Sequence, residues 1–241
     1  MNKEQLENYL QKNPFEQLSN IVFILMSDEI SALKLKPGEN INISKIAYEL
    51  NISITPVRDA LIKLNDYGFV KKYPNKKGYY VSDLELNDIL KVFNARIAVE
   101  GSAAFLCAQY KKCPNIDRLS ELAEDFKNSY TFDLTKFSDF EFHRLLVESS
   151  GNEYLMEFYN LIEKKAWRYQ SFIMINVSTL FDLNNPSIES FATQHLAVVN
   201  AIKQNIPHLA EHEMRTHIKT GLEKVLLLYN LNSKNSFKIN I

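Results

Sequence analysis

Four side chains in the second half of the sequence have the types and spacing to hold a metal ion. Asp139 and His143 are four residues apart in a stretch with helical apolar spacing, so they share one face, with Phe132, Leu146 and Ser150 along the same stripe. His195 sits among Ile188, Phe191, Val198, Val199 and Ile202, and His217 follows Ala210 and Met214 and precedes Gly221. A carboxylate or imidazole on an apolar stripe needs a partner, because burying it unsatisfied is costly. Three imidazoles and one carboxylate from three helices can converge in a bundle core around a divalent ion of the Zn, Ni or Mn type. A polar network satisfied within the core is the alternative. His208 and His212 form a second i,i+4 pair, but they share their face with Arg215 and Lys219 and read as solvated.

Two arginines suggest what such a centre could bind. Arg96 lies on a stripe with Ile89, Phe93, Val99 and Ala103, so its guanidinium is expected to aim into the cavity beside the ion; an ion pair with Glu100 is the other reading. A planar guanidinium grips a carboxylate with two parallel hydrogen bonds, which makes a small organic acid or sugar acid the expected ligand. Arg168, beside Trp167, is a second candidate for the same role. A metal-dependent hydrolase would need a base near metal-bound water. Glu141 points to another face, so no catalytic residue is assigned.

These groups must be held by helices. Beyond Asp83 the apolar periodicity predicts six of them, at about 86–110, 115–130, 132–149, 152–177, 186–204 and 206–230, with Pro114, Gly151, Pro186 and Pro207 at the joints. The first 80 residues instead alternate helix and strand signals. Pro14–Leu33 carries Phe15, Leu18, Val22, Leu25 and Ile30 at helical spacing, Pro37-Gly38 breaks the chain, and Ser44 precedes a short helix, Lys45–Leu50. Asn51 suits a left-handed helix end. Ser53 or Thr55 caps a second helix that runs to about Asp66, with Pro56 in its first turn. Phe69–Tyr73 and Gly78–Ser82, separated by Pro74-Asn75-Lys76-Lys77, read as a hairpin with a basic tip. The first ten residues and the stretch after Leu231 read as frayed ends.

The fold class expected is therefore mainly α: a winged helix-turn-helix domain over residues 1–82, then an all-α bundle over 83–241. The chain has 241 residues, 46% hydrophobic and 24% charged, an ordinary globular balance that excludes a disordered chain. Apolar runs such as Ile21–Met26 are far too short to span a bilayer, and no signal-like start is seen. Two cysteines, Cys107 and Cys113, are too few for a disulfide framework and read as small core fillers in a cytoplasmic protein. Net charge is −1, but it is unevenly spread. Arg58–Tyr80 holds six basic and two acidic residues, whereas 83–241 is acidic on balance.

Two short helices and a basic hairpin suit double-stranded DNA: the second helix presents its first turn to base edges and the hairpin lysines follow the backbone. Ser44, Ser53, Ile54, Thr55, Pro56, Arg58, Lys76, Lys77 and Gly78 are the expected contacts, while Ile52, Val57, Leu61 and Leu64 face the module's core. The stretch Ser53-x-Thr55-Pro56-Val57-Arg58-Asp59-Ala60-Leu61, with Leu64, Gly68-Phe69-Val70, Gly78, Val81 and the Pro37-Gly38 turn, resembles the GntR family of bacterial transcriptional regulators. Two positions depart from that family: Asn51 stands where Gly is usual and Ile54 where Arg is usual. Loss of that Arg points to an operator read by methyl contacts or by A·T-rich shape.

The rest resembles the FCD effector domain of the FadR branch, through Arg96-x-x-x-Glu100 with Ala103-Ala104, Asp139-Phe140-Glu141-Phe142-His143, Gly151-Asn152, His195, Ala201 and Ala210-x-x-x-Met214-x-x-His217. The resemblance implies a divalent ion on Asp139, His143, His195 and His217 rather than an acyl-CoA ligand. It also implies a homodimeric regulator, more often a repressor, on a pseudo-palindromic operator. A regulator with the ion itself as signal, and a metal-dependent hydrolase, are the alternatives. A binding protein that has lost its DNA function is another.

Overall fold

The computed structural model describes residues 1–128, 132–176 and 187–233. They form two compact units, divided between Leu84 and Glu85.

In the first unit, α1 (Lys3–Lys12) precedes α2 (Leu18–Ser31), α3 (Ile43–Leu50) and α4 (Ile54–Asp66). Strand β1 (Val70–Lys71) pairs antiparallel with β2 (Tyr80–Val81) in the register Val70↔Val81 and Lys71↔Tyr80. Val22, Met26, Ile30, Leu50, Val57, Leu61, Leu64 and Val81 are fully enclosed in its core, and Ile52 packs against it half-buried. Asn51 ends α3 at φ 56°, ψ 46°, the left-handed turn that Asn tolerates at low cost. That turn swings α4 across α3.

Four details differ from the sequence reading. The first ten residues are not frayed: α1 carries a reciprocal capping box between Asn2 and Gln5 and buries Leu6 against the core. Phe15 is no helix position but stands 99% exposed in the turn before α2, where Pro14 breaks the helical register. Ser44 lies within the first turn of α3, because Asn42 is the cap and accepts from the Lys45 N–H at 3.0 Å. The hairpin ladder is also shorter than expected. Its second strand is held from the far side by Glu39–Ile41, through Val81 N–H to Glu39 O and Ile41 N–H to Tyr79 O, both 2.9 Å.

The second unit is helical among the described residues: α5 (Leu86–Gln109), α6 (Ile116–Asn128), α7 (Phe132–Ser149), α8 (Glu153–Ile175), α9 (Ser187–Lys203) and α10 (Pro207–Ser233). The side chains of Phe132, Ile188 and Phe191, the residue Pro186 and the end beyond Ser233 lie outside the described residues. Helix α5 is the central one and packs on α7, α8, α9 and α10. Small residues allow this. At Gly101 a Cβ would come within 2.9 Å of the Arg215 side chain on α10, and Ala103, Ala104 and Ala108 are buried. Cys107 and Cys113 are buried free thiols at the end of α5. Gly151, at φ 67°, turns α7 into α8.

Candidate metal centre

Helix α7 presents Asp139 and His143 one turn apart, α9 supplies His195 and α10 supplies His217. All four side chains are buried, and one donor atom from each lies within 4.8 Å of all the others. His217 Nε2 is 3.1 Å from His195 Nε2 and 3.2 Å from His143 Nε2. Asp139 Oδ1 is 3.5 Å from His195 Nε2 and 3.6 Å from His143 Nε2. Phe142 stacks on the His195 ring at 4.2 Å and closes one wall.

The outer nitrogens are committed elsewhere. His143 Nδ1 meets Glu100 Oε2 at 2.6 Å, and His217 Nδ1 meets Gln194 Oε1 at 3.2 Å. Each partner oxygen accepts, so each Nδ1 carries the proton and each Nε2 turns a lone pair inward. With both rings neutral, two lone pairs would face each other at 3.2 Å and repel unless a metal cation or a proton lies between them. Asp139 Oδ1 is likewise buried with no hydrogen-bond donor. Metal–nitrogen bonds of about 2.1 Å place neighbouring donors about 3.0 Å apart at right angles and about 3.4 Å apart at the tetrahedral angle. The 3.1 and 3.2 Å separations fall between the two. The residues fit a divalent cation.

The charges agree. Burial alone would raise the Asp139 carboxyl, but His143, His195 and Arg96 hold it below the ordinary carboxylate range. Burial pulls His195 down to about 3 and His217 well below its usual value, leaving both rings neutral and able to donate a lone pair. For His143 burial acts the same way, but Glu100 and Asp139 together raise the ring, which favours its charged form until a metal cation displaces the proton. Glu100 would itself be raised by burial, and Arg96 and His143 keep it ionised.

Arg96 is buried on α5, with Nε 2.6 Å from Glu100 Oε1 and Nη2 3.3 Å from Glu100 Oε2. The ion pair read as its alternative is thus formed, and Glu100 links Arg96 to the candidate ligand His143. Arg168 is buried on α8, where its charge acts on Asp88 and Tyr169. His208 and His212 are exposed. Glu141 is half-exposed and paired with Arg118 at 3.0 Å, away from the centre. Glu100 as the backing group of His143, and Lys224, buried further along α10, were not singled out from the sequence. The signal for Lys224 was present: a lysine seven residues after His217 on an otherwise apolar stripe. Glu100→Gln is expected to weaken zinc binding ~10–100-fold, the usual cost of removing an outer hydrogen-bond partner of a ligand histidine. A competition titration against a chelating dye measures it, and unchanged affinity would refute this role for Glu100.

In the first unit the expected DNA contacts are accessible. Ser44, Ser53, Thr55, Arg58, Lys76, Lys77 and Gly78 are exposed, Ile54 is 38% exposed, and Pro56 is half-buried. Ser53 occupies the cap position of α4, but its side chain makes no capping bond. On the hairpin, lysines lie over tyrosine rings: Lys72 over Tyr79 at 4.6 Å and Lys76 over Tyr73 at 5.0 Å. Lys71 pairs with Asp83 at 2.8 Å, so Lys72, Lys76 and Lys77 are the hairpin's more available cations.

The FCD domain family matches residues 91–220, which contain all four ligands. The Nta operon transcriptional regulator of Aminobacter aminovorans is 34% identical over 124 residues, 51% of this chain and 59% of that protein. A probable D-xylose utilization operon transcriptional repressor of Paenarthrobacter nicotinovorans is 25% identical over 202 residues, 83% of this chain and 84% of its own. Among solved structures, E. coli McbR/YncC superposes with a TM-score of 0.72 at 19% identity, covering 90% of this chain and all of that one, a likeness of fold. No helix among the described residues is long and apolar enough to cross a membrane. Both relatives are named as regulators or repressors of transcription. This chain belongs to the FCD domain family.

Proposed function

We propose that the protein is a cytoplasmic homodimeric repressor whose grip on a pseudo-palindromic operator is controlled by a small carboxylate bound beside a divalent ion in the second unit. The observation that carries this reading is the convergence of four buried donors with a buried Arg96 next to them. The ion, when bound, supplies an electrophilic anchor for a ligand carboxylate. Arg96 is held ionised and oriented by Glu100, and offers the remaining N–H groups of its fork. Arg168 is the more distant cationic partner. In the first unit, the α4 start with Ser53, Ile54, Thr55 and Arg58 reads base edges, and Lys76 and Lys77 neutralise phosphates. Effector binding changes operator affinity only through a difference in affinity for the two states.

A second reading has a specific observation behind it. Asp139, His143, His195 and His217 offer four donors, as many as a four-coordinate ion would take, and an ion so held would itself be the signal. A gel shift with the full chain and the DNA upstream of its own gene separates the two. With zinc or manganese present, one carboxylate from a panel of organic and sugar acids is expected to weaken the complex at least ~10-fold. Indifference to every acid, with release or capture following metal alone, would replace the carboxylate reading by the metal-sensing one.

A further inference from the structure

We infer that Tyr73 and Tyr80 are positioning residues of the DNA interface: together they hold the ammonium of Lys76 at the hairpin tip, ready for a duplex phosphate. The inference rests on the DNA-reading assignment above. Tyr73 follows β1, and Tyr80 stands on β2 opposite Lys71. Their rings meet edge-on, with 5.4 Å between centroids and 74° between planes, an arrangement that aromatic pairs favour. Lys76 Nζ lies 5.0 Å from the centre of the Tyr73 ring and 5.3 Å from that of Tyr80. Both distances fall within the ~6 Å over which a ring face attracts a cation.

The rings are themselves held. Tyr73 Oη donates to Asp83 Oδ2 at 3.3 Å, and the pairing of β2 with β1 fixes Tyr80. Both tyrosines are half-buried, while Lys76 is exposed. Asp83 also draws in Lys71 at 2.8 Å, and Lys71 lies 5.1 Å from the centre of the same Tyr73 ring. The two lysines on that ring therefore differ. Lys71 is paired with a carboxylate, whereas Lys76 forms an ion pair with no carboxylate among the described residues. A ring attracts an ammonium without neutralising it, and the donors on its far side stay open to phosphate. Holding Lys76 beforehand removes part of the ordering cost that a free lysine side chain meets on binding.

Fluorescence anisotropy with the full chain and the DNA upstream of its own gene, at one fixed salt concentration, tests this through a cycle of variants. The Tyr73→Leu, Tyr80→Leu double variant is expected to bind ~3–10-fold more weakly than the wild type, the range for freeing one long side chain. The Tyr73→Phe, Tyr80→Phe variant keeps both rings and is expected to stay within about 2-fold of the wild type. In a Lys76→Ala background the leucine exchange is expected to change affinity by less than about 2-fold, because no ammonium is left to hold. Wild-type affinity in the leucine variant overturns the assignment, and so does an equal loss in the phenylalanine variant. A leucine loss that persists in full without Lys76 also overturns it, since the tyrosines then act on the hairpin and not on its lysine. Should the double exchange unfold the hairpin, Tyr73→Leu alone, outside both strands, runs the same cycle with an expected loss of ~2–5-fold. Each of these results leaves the DNA reading intact. Failure of the wild type to bind this duplex or a random one overturns that reading, and the inference with it.

Discussion

Zinc content of His195→Ala is expected to fall from one ion per chain to none after dialysis, measured by elemental analysis. The His195 ring is fully buried, 3.1 Å from His217 Nε2 and 3.5 Å from Asp139 Oδ1, and Phe142 stacked on it fixes its plane. Alanine removes one of four donors, and the small cavity left behind supplies no replacement. The loss in affinity should exceed the ~10–100-fold expected for Glu100→Gln, because a ligand is gone rather than its orienting partner. Stability follows by mass action. At 1,000 times its dissociation constant, an ion adds ~4 kcal/mol to the folded state. The wild type should therefore melt higher with zinc and lose that gain to a chelator, whereas the variant should melt alike in both. A variant that still carries one tightly held ion would overturn the centre.

DNA binding should respond just as strongly at the other unit. Arg58→Ala is expected to weaken binding to the DNA upstream of its own gene ~10–100-fold, the value of a bidentate base contact at ~1–3 kcal/mol, while non-specific DNA is affected less. Arg58 is exposed one turn into α4, and Ile54 beside it cannot substitute as a donor. The Lys76→Ala, Lys77→Ala double variant should behave differently. It should weaken all duplexes alike and flatten the slope of log affinity against log salt by about 1.8. Fluorescence anisotropy at several salt concentrations reads both effects. Wild-type affinity in Arg58→Ala would remove α4 as the reading helix.

The helical boundaries of the second unit were legible because the apolar periods are long and Pro114, Gly151 and Pro207 mark joints between them. The expected span 86–110 is observed as Leu86–Gln109, and 152–177 as Glu153–Ile175. The convergence of Asp139, His143, His195 and His217 was legible for a related reason: polar groups on an inward stripe need company. What was missed was non-local or weakly apolar. Helix α1 buries Leu6 alone, too little periodicity to stand out, although its Asn2-x-x-Gln5 capping box was readable. Phe15 has the right spacing for α2, but a turn at Pro14 overrides spacing. The Asn40↔Tyr80 bridge joins segments forty residues apart. The Arg96–Glu100 pair is visible as an i,i+4 motif, but its continuation to His143 crosses to another helix.

The two sequestered thiols have a practical consequence for spectroscopy. Cys107 is fully enclosed, and the Cys113 side chain together with burial pushes its thiol up and away from the reactive thiolate; the same contact lowers Cys113, but that thiol is only 4% accessible. Maleimide or nitroxide reagents should therefore label the native chain slowly. A cysteine introduced at exposed Asn75, on the hairpin tip, would carry a probe against a low background. Paired probes on two copies could then report the distance between hairpin tips as candidate effectors are titrated, without first stripping the protein of its own sulfur.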